Sequence, residues 1–505
     1  MTALAPYRSQ APAGADGFGS LLGSEWTKFR SVRGWVAGLF VAALVTVGFG
    51  ALTASSSLCS DGPGPGQPVA LACSAPIGPD GEVVTDQFYF VHQPLSGNGT
   101  LTVRLTSLTS PASEPWGKAG IIVKASTKPG SAYAAVMATG GHGVRFQYDY
   151  LHDVAGLPGA VSASAPRWLR LTRSGDTISG YDSADGTHWL LVGTASLPRL
   201  PATAQAGMFA TAPMSNAGTP IHVGTAPTVT GTFDHVSLSG PSGGAAAGRW
   251  TGTDVGSTPM EASEDGDSPS GDGFTVTGHG DIAPGADVAT QLGQTLIGGF
   301  GGLIAVVVVG AMFITAEYRR GLIRTTLAAT PGRGRVLAAK AIVLGVVTFV
   351  AGLAATMITV PVAAHLLRAN GNFIPPVSAL TQFRVEAGTA AIFAVAAVLA
   401  LAIGVIARRG AAAVSTAIVV IILPYVLAIA SPALPVTAAN WVLRVTPAAA
   451  FALQQTIPRY PLGDASYTPF NGYFPLSPWA GFAVLCAWAA AALVLAYVLI
   501  QRRDA

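Results

Sequence analysis

The side chains able to do chemistry are few and scattered. Asp149 and Asp153 flank His152, a spacing that could supply a general acid and base. Nothing around them defines a cleft, and they read as loop acids. Asp182 and Asp185 could hold calcium but lie among turn-forming residues and read as turn acids. The run Glu264-Asp265-Gly266-Asp267, with Asp272 beyond it, lacks the spaced ligands and closing Glu of a calcium loop and reads as solvated linker. Trp168 and Trp189 could stack on a sugar ring. Their positions on alternating strands make burial in a sandwich core the simpler reading. Cys59 and Cys73 bracket a Pro- and Gly-rich stretch and could form a disulfide in an oxidising compartment, while Cys486, inside an apolar run, should stay reduced. Gly117-Lys118 is followed by Ala119 and lacks the glycine pattern of a phosphate-binding loop. No catalytic residue, metal site or cofactor is expected from these patterns, and the chain is read as not an enzyme.

The elements that would carry such residues are mostly apolar helices. Of 505 residues, 50% are hydrophobic and only 10% charged, against roughly 25% charged in a typical soluble domain. Mean hydropathy is +0.48. A net charge of +3 is too small to argue for a nucleic-acid partner. Six stretches, at 34–54, 293–315, 341–366, 385–407, 411–430 and 479–500, are long enough to span a hydrocarbon core, which takes about 20 helical residues. With the N-terminus inside, 14 basic residues and four acids fall on the cytoplasmic side. The short outer loops then hold only Arg368, Arg384, Arg444 and Arg459, as the positive-inside rule requires. Both termini are therefore expected in the cytoplasm of a plasma-membrane protein, with residues 55–290 extracellular. Ahead of the first span, Phe18, Leu21, Leu22, Trp26 and Phe29 recur at helical spacing, with Ser20, Ser24, Thr27 and Lys28 on the other side. This predicts an interfacial amphipathic helix within 1–33 that bends near Gly34.

Residues 55–84 are rich in Pro, Gly and Ser and read as a linker. From 85 to 240 the pattern changes to short alternating runs bounded by turn residues, which predicts an all-β sandwich. Residues 241–290 read again as a Gly/Ser/Asp-rich linker, and 291–505 as a five-helix membrane domain with an outer loop at 431–477. Within that loop, 440–456 is apolar enough for a re-entrant or interfacial helix. The expected fold class is thus a polytopic α-helical membrane protein of six transmembrane helices with a large inserted extracellular all-β sandwich. The strings "AGIIVKAS", "PRWLRLTRSGDTISGYDSADGTHWLLVG" and "TFDHVSL" resemble concanavalin-like (laminin-G-like) sandwich domains. That resemblance implies an extracellular glycan as a partner without fixing a sugar site.

No ionisable residue lies deep inside a predicted span: Glu317, His365 and Glu386 sit at the ends. Ion-coupled carriers usually need such groups, so the energy for any transport should come from another polypeptide. The string "EYRRGLIRTTLAATP" from Glu317, with "SEWTKFRSVRGW" at 24–35, resembles the membrane permeases of ATP-binding-cassette exporters of the second type, especially actinobacterial ones. The resemblance implies a permease subunit that binds no cofactor of its own and pairs with a separate ATPase subunit that hydrolyses ATP. It also implies a homodimer or a related permease as second membrane partner, in contact with membrane lipid. It nominates Glu317, Arg319, Gly321 and Arg324, in a cytoplasmic loop 317–340, for coupling to the ATPase. In that loop Gly321 permits a break, 322–329 can form a short helix, and Pro331-Gly332 ends it. A membrane-anchored carbohydrate-binding protein is the alternative, for which six spans and a patterned loop are excessive.

Overall fold

The computed structural model describes residues 17–57, 75–110, 114–213, 227–240, 249–257, 265–285, 289–323, 332–430, 434–460, 467, 469 and 471–503. Cys59, Cys73, Arg324 and most of the short helix expected at 322–329 lie outside these residues.

Helix α1 (Phe18–Ser31) is followed by α2 (Arg33–Ser56), with only Val32 in extended conformation between them. The bend therefore falls at Val32, and Gly34 lies inside α2. The remaining helices are α3 (Gly299–Arg319), α4 (Arg333–Ala369), α5 (Ala379–Ala407), α6 (Gly410–Ile421), α7 (Leu423–Ala430), α8 (Val436–Val445) and α9 (Pro478–Arg503). Among the described residues, six stretches of helix are long and apolar enough to cross a membrane: α2, α3, α4, α5, the pair α6–α7 and α9. α5 is the most enclosed of them, with 72% of its apolar window buried against 22% for α2 and for α9. Close approach of α2 and α3 depends on glycine. A Cβ on Gly298 would stand 2.3 Å from the Thr46 carbonyl oxygen, and one on Gly302 would stand 2.1 Å from the Thr46 hydroxyl.

α4 has 37 residues, about 55 Å of helix, longer than a bilayer core. Its first two turns, 333–340, were expected in a loop and instead extend the helix. The stretch 440–456 becomes the end of α8 plus a wholly or partly buried 3-10 segment, Pro447–Gln454, packed under α9.

Between α2 and α3 lies the β-sandwich. One sheet has the order β10-β9-β8-β3-β12-β15-β14 and the other β13-β2-β11-β4-β5-β6-β7, both antiparallel. The strands are β1 (Val84–Asp86), β2 (Phe88–Ser96), β3 (Gly99–Thr109), β4 (Lys118–Lys124), β5 (Tyr133–Thr139), β6 (Val144–Tyr148) and β7 (His152–Ala155). They continue with β8 (Arg167–Ser174), β9 (Thr177–Ser183), β10 (Leu190–Ser196), β11 (Thr203–Thr211), β12 (Val229–Ser239), β13 (Thr251–Val255), β14 (Gly266–Ser270), β15 (Gly273–Gly278) and β16 (Ile282–Pro284). The sandwich is larger than its expected bounds. The segment 241–290, expected as linker, supplies four strands: β15 pairs with β12, β13 pairs with β2, and β16 pairs with β1. Gly, Ser and Asp are poor strand formers in isolation, but here pairing onto existing edges and burial of Val255, Val276 and Ile282 decide.

The pair β1–β16 marks a second, smaller core on the far face of the β4–β5 sheet, where Phe88, Phe90, Tyr133, Tyr150 and Phe209 are buried. β4 and β5 are consequently buried along their whole length. The wholly buried Lys124 joins the two parts: its Nζ donates to Asp86 Oδ2 at 2.6 Å and to Tyr150 Oη at 2.8 Å. Lys124 and Asp86 thereby satisfy one another away from water.

Candidate functional site

The candidate site is built where α1, α3 and α4 meet. On α1 the buried face is Leu22, Glu25 and Phe29, at helical spacing. Glu25 is fully buried, Lys340 is 1% exposed and Glu317 12% exposed. Lys340 Nζ donates to Glu25 Oε2 and to Glu317 Oε1, each at 2.6 Å. Lys28 Nζ closes the set, 2.7 Å from Glu25 Oε1 and 3.9 Å from Glu317 Oε1. The two carboxylates are thus balanced by the buried Lys340 and the half-exposed Lys28. Phe313 of α3 packs beneath them, its ring centroid 5.0 Å from Lys340 Nζ and 5.7 Å from the Phe29 ring. Of the nominated coupling residues, Glu317 lies in this cluster, paired with Lys340. Sequence reasoning missed Glu25 and Lys340. The available signal was Glu25 standing between Leu22 and Phe29 on the apolar face of α1, where an unpaired carboxylate would be costly.

Immediately after Glu317 the character changes. α3 ends at Arg319; Arg320 caps it, donating its backbone N–H to the Ala316 carbonyl at 3.2 Å. Gly321 follows with φ +69, the left-handed region that ends helices and favours glycine. The chain turns there, leaving Arg319 and Arg320 exposed. Other basic residues at this end are structurally engaged. Arg333 Nη1 donates to the Ile500 and Gln501 carbonyls at the end of α9, at 3.1 and 3.3 Å. Arg408 holds its guanidinium 5.4 Å from the centre of the Tyr318 ring. Two cavities flank the C-terminal half of α3. One of about 620 Å³ lies between α1–α2 and α3, bordered by Lys28, Trp35, Met312, Arg319 and Arg320. Another of about 950 Å³ lies between α3 and the α5–α6 turn, bordered by Arg319, Arg408 and Arg409.

A family model described as "ABC-2 family transporter protein" matches residues 187–505, more than half of the chain. The chain belongs to the ABC-2 transporter family. Among curated proteins no match is found. Solved structures similar to this ABC-2 chain are scytalido-glutamic peptidase with a transition state analog inhibitor and SCP-B, an eqolisin-family peptidase complexed with the tripeptide Ala-Ile-His. The first is 12% identical with TM-score 0.27, covering 40% of this chain and 100% of that one; the second is 13% identical with TM-score 0.25, covering 39% and 98%. A functionally unknown protein from Saccharomyces cerevisiae is 19% identical with TM-score 0.20, covering 30% of this chain and 75% of that one. Likenesses at these TM-scores carry no argument about the ABC-2 chain.

At the opposite end of the ABC-2 helices a cavity of about 680 Å³ opens between α2, α3, α7 and the buried 3-10 segment. Phe300, Tyr425 and Phe451 form its aromatic wall, with ring centroids 4.1–5.8 Å apart. Gln291, Gln294 and Gln454 supply its polar groups, and among the described residues no charged side chain lines it.

The sandwich residues singled out from sequence fall into structural roles. Asp149 Oδ1 accepts the Tyr133 backbone N–H at 3.1 Å, and burial pushes its carboxyl up. Asp153 takes Arg145 and Gln147, and His152 stacks on Tyr148 at 4.3 Å. These groups do not converge. Asp185 accepts the Thr187 and His188 backbone N–H groups at 2.8 Å, which hold its carboxyl well below the usual range, as a turn residue does. Asp182 is buried 3.8 Å from Arg167. Trp168 and Trp189 are half-buried rather than in the core, contrary to the core reading: on β8 the neighbouring Leu169 takes the inner face, and Trp189, just before β10, packs on Arg170, which shares the outer face with Trp168. The Arg170 guanidinium lies 3.7 Å from the Trp189 ring centre, and Trp168 meets His235 edge-on at 5.2 Å. Asp265 and Asp267 are also not solvated linker: Asp265 pairs with His279 at 2.8 Å and Asp267 accepts the Tyr89 hydroxyl at 2.7 Å.

Proposed function

We propose that this chain is the membrane permease subunit of an ATP-driven exporter, working over a separate ATPase subunit that hydrolyses ATP. The two termini and the segment 317–340 would face the cytoplasm and residues 55–290 the outside, in line with the basic residues gathered at one end. The second membrane partner would be another copy of this chain or a related permease. The observation that carries the reading is the four-charge cluster of Glu25, Lys28, Glu317 and Lys340. It fastens α1, the end of α3 and the start of α4 into one block. Force applied by an ATPase to the segment between Gly321 and Gly332 would then reach three helices together. α3 and α4 run from that block toward the apolar cavity at the opposite end, which suits an uncharged or amphipathic solute.

Within the segment, Gly321 sets the direction in which the chain leaves α3, and Arg324 would make a forked contact with a carboxylate or carbonyls of the ATPase. The test is ATPase stimulation and transport by the reconstituted pair. Arg324→Lys keeps the charge but not the fork, and should uncouple hydrolysis from transport. Unchanged stimulation in both Arg324→Lys and Gly321→Pro would reject the coupling role.

A further inference from the structure

We propose that the cavity between the α1–α2 bend and α3 is a binding site for an anionic phospholipid of the membrane leaflet at that end. Its depth is apolar: Trp35, Val309, Met312 and Phe313 line it. Its mouth is cationic. Arg319 and Arg320 are exposed, and neither guanidinium has a hydrogen-bond or ion-pair partner among the described residues. Among the described residues the one carboxylate on the wall is Glu317, already paired with Lys340 at 2.6 Å, so it does not cancel the arginines.

The volume, about 620 Å³, falls within the range of sites that hold small amphiphiles. Its walls also continue onto the surface that span-length helices present to lipid: Met312 is 36% exposed, Val36 48% and Phe40 69%. A soluble anion would use the arginines but leave the apolar depth empty. A neutral lipid would use the depth but leave two guanidinium groups without an anion. A lipid with an acidic headgroup uses both, in the manner of basic pockets between membrane helices. The headgroup would sit where α3 ends and the chain turns at Gly321, so this lipid would brace the root of the proposed coupling segment. The site itself does not depend on the ATPase pairing.

The test uses the full chain, purified, stripped of lipid and placed in nanodiscs of phosphatidylcholine with or without phosphatidylglycerol. Retained lipid is counted by native mass spectrometry after release. Phosphatidylglycerol should be retained in preference to phosphatidylcholine, and millimolar inorganic phosphate should not displace it. Arg319→Gln with Arg320→Gln should lower that preference by about thirtyfold, from roughly one kilocalorie per basic residue at a membrane surface. Arg502→Gln, which removes a basic residue that does not line the cavity, should leave it intact. Equal retention of the two lipids, or an undiminished preference in the double variant, would overturn the proposal. Displacement by phosphate alone would show a free-anion site and overturn it equally. ATPase stimulation is read separately, so failure of the coupling reading leaves this result standing.

Discussion

Lys340 Nζ lies 2.6 Å from Glu25 Oε2, although 315 residues separate the two in the chain. Both side chains are withdrawn from solvent, so each is the condition for burying the other. The same ammonium reaches Glu317 at the end of α3. One cation thus fixes the amphipathic helix α1 and the two helices that flank the proposed coupling segment.

Lys340→Met leaves the Glu25 carboxylate buried with only the half-exposed Lys28 as partner. Loss of one member of a buried pair costs about 3–5 kcal/mol. The melting temperature in detergent should fall strongly, with poor recovery of folded protein. Adding Glu25→Gln to Lys340→Met should restore part of the loss, since it removes the stranded charge. A double variant no more stable than Lys340→Met would show that the two residues do not act as a pair.

The sandwich should fold without the helices, provided its true limits are used. A fragment spanning 75–285 retains β1 and β13–β16 and should show β-type circular dichroism with a cooperative melt. A fragment limited to 85–240 strips the partner strand from one side of β12 and one side of β2. It should aggregate or melt without cooperativity. Equal melting of the two fragments would mean that the later strands add nothing to the core.

At the sandwich edge, Asp254 of β13 faces Asp265, and its carboxyl is pushed up to about 6 from 3.8. Burial is the largest cause, followed by the hydrogen bond and charge of Asp265, with His279 opposing. The folded state therefore holds a proton that the unfolded chain has released between these two values. Stability linked to this group is complete below the lower value and is lost as pH rises through about 6. Asp254→Asn should flatten the fall in melting temperature between pH 4 and pH 7, measured on the 75–285 fragment. Parallel curves for the two proteins would contradict the assignment.

At Gly321 the backbone has φ +69. Gly321→Ala forces an L side chain into the left-handed region, at about 1–2 kcal/mol, and should reduce ATPase stimulation moderately. Gly321→Pro fixes φ near −65°, so the chain cannot leave α3 in this direction and stimulation should be lost. Both variants should still insert, because among the described residues no atom outside the turn lies within 4 Å of a Cβ built there, and any fall in melting temperature should not exceed the strain of this one turn. Loss of insertion would instead place the residue in the stability of α3.

Much of the architecture was legible because it rests on local pattern. Long apolar runs placed all six span-length helices, and alternating runs such as Leu101-Thr102-Val103-Arg104-Leu105 located most strands, since the inner and outer faces of those strands see different surroundings. Strands such as β5, Tyr133–Thr139, buried on both faces, carry no alternation to mark them. β13 to β16 escaped because their Gly-, Ser- and Asp-rich stretches become strands only when edges distant in sequence accept them. The Trp168 and Trp189 side chains could not be assigned a face from propensity alone, as a shift of one residue exchanges core and surface.

The same division holds at the candidate site. By itself the sequence determined the helices, the concentration of basic residues near their ends, and a break at Gly321 after the Glu-Tyr-Arg-Arg string, because hydrophobicity and backbone freedom are properties of residues and their immediate neighbours. Only the tertiary structure decided which of those charges face one another. Glu25 and Lys340 are unremarkable as single letters, and Arg319 and Lys340 carry the same formal charge. Burial against Phe29 and Phe313 makes one cation a partner inside the protein, while the turn at Gly321 leaves the other at the mouth of an apolar cavity. Electrostatic roles depend on distance and desolvation, and neither exists until the helices have packed.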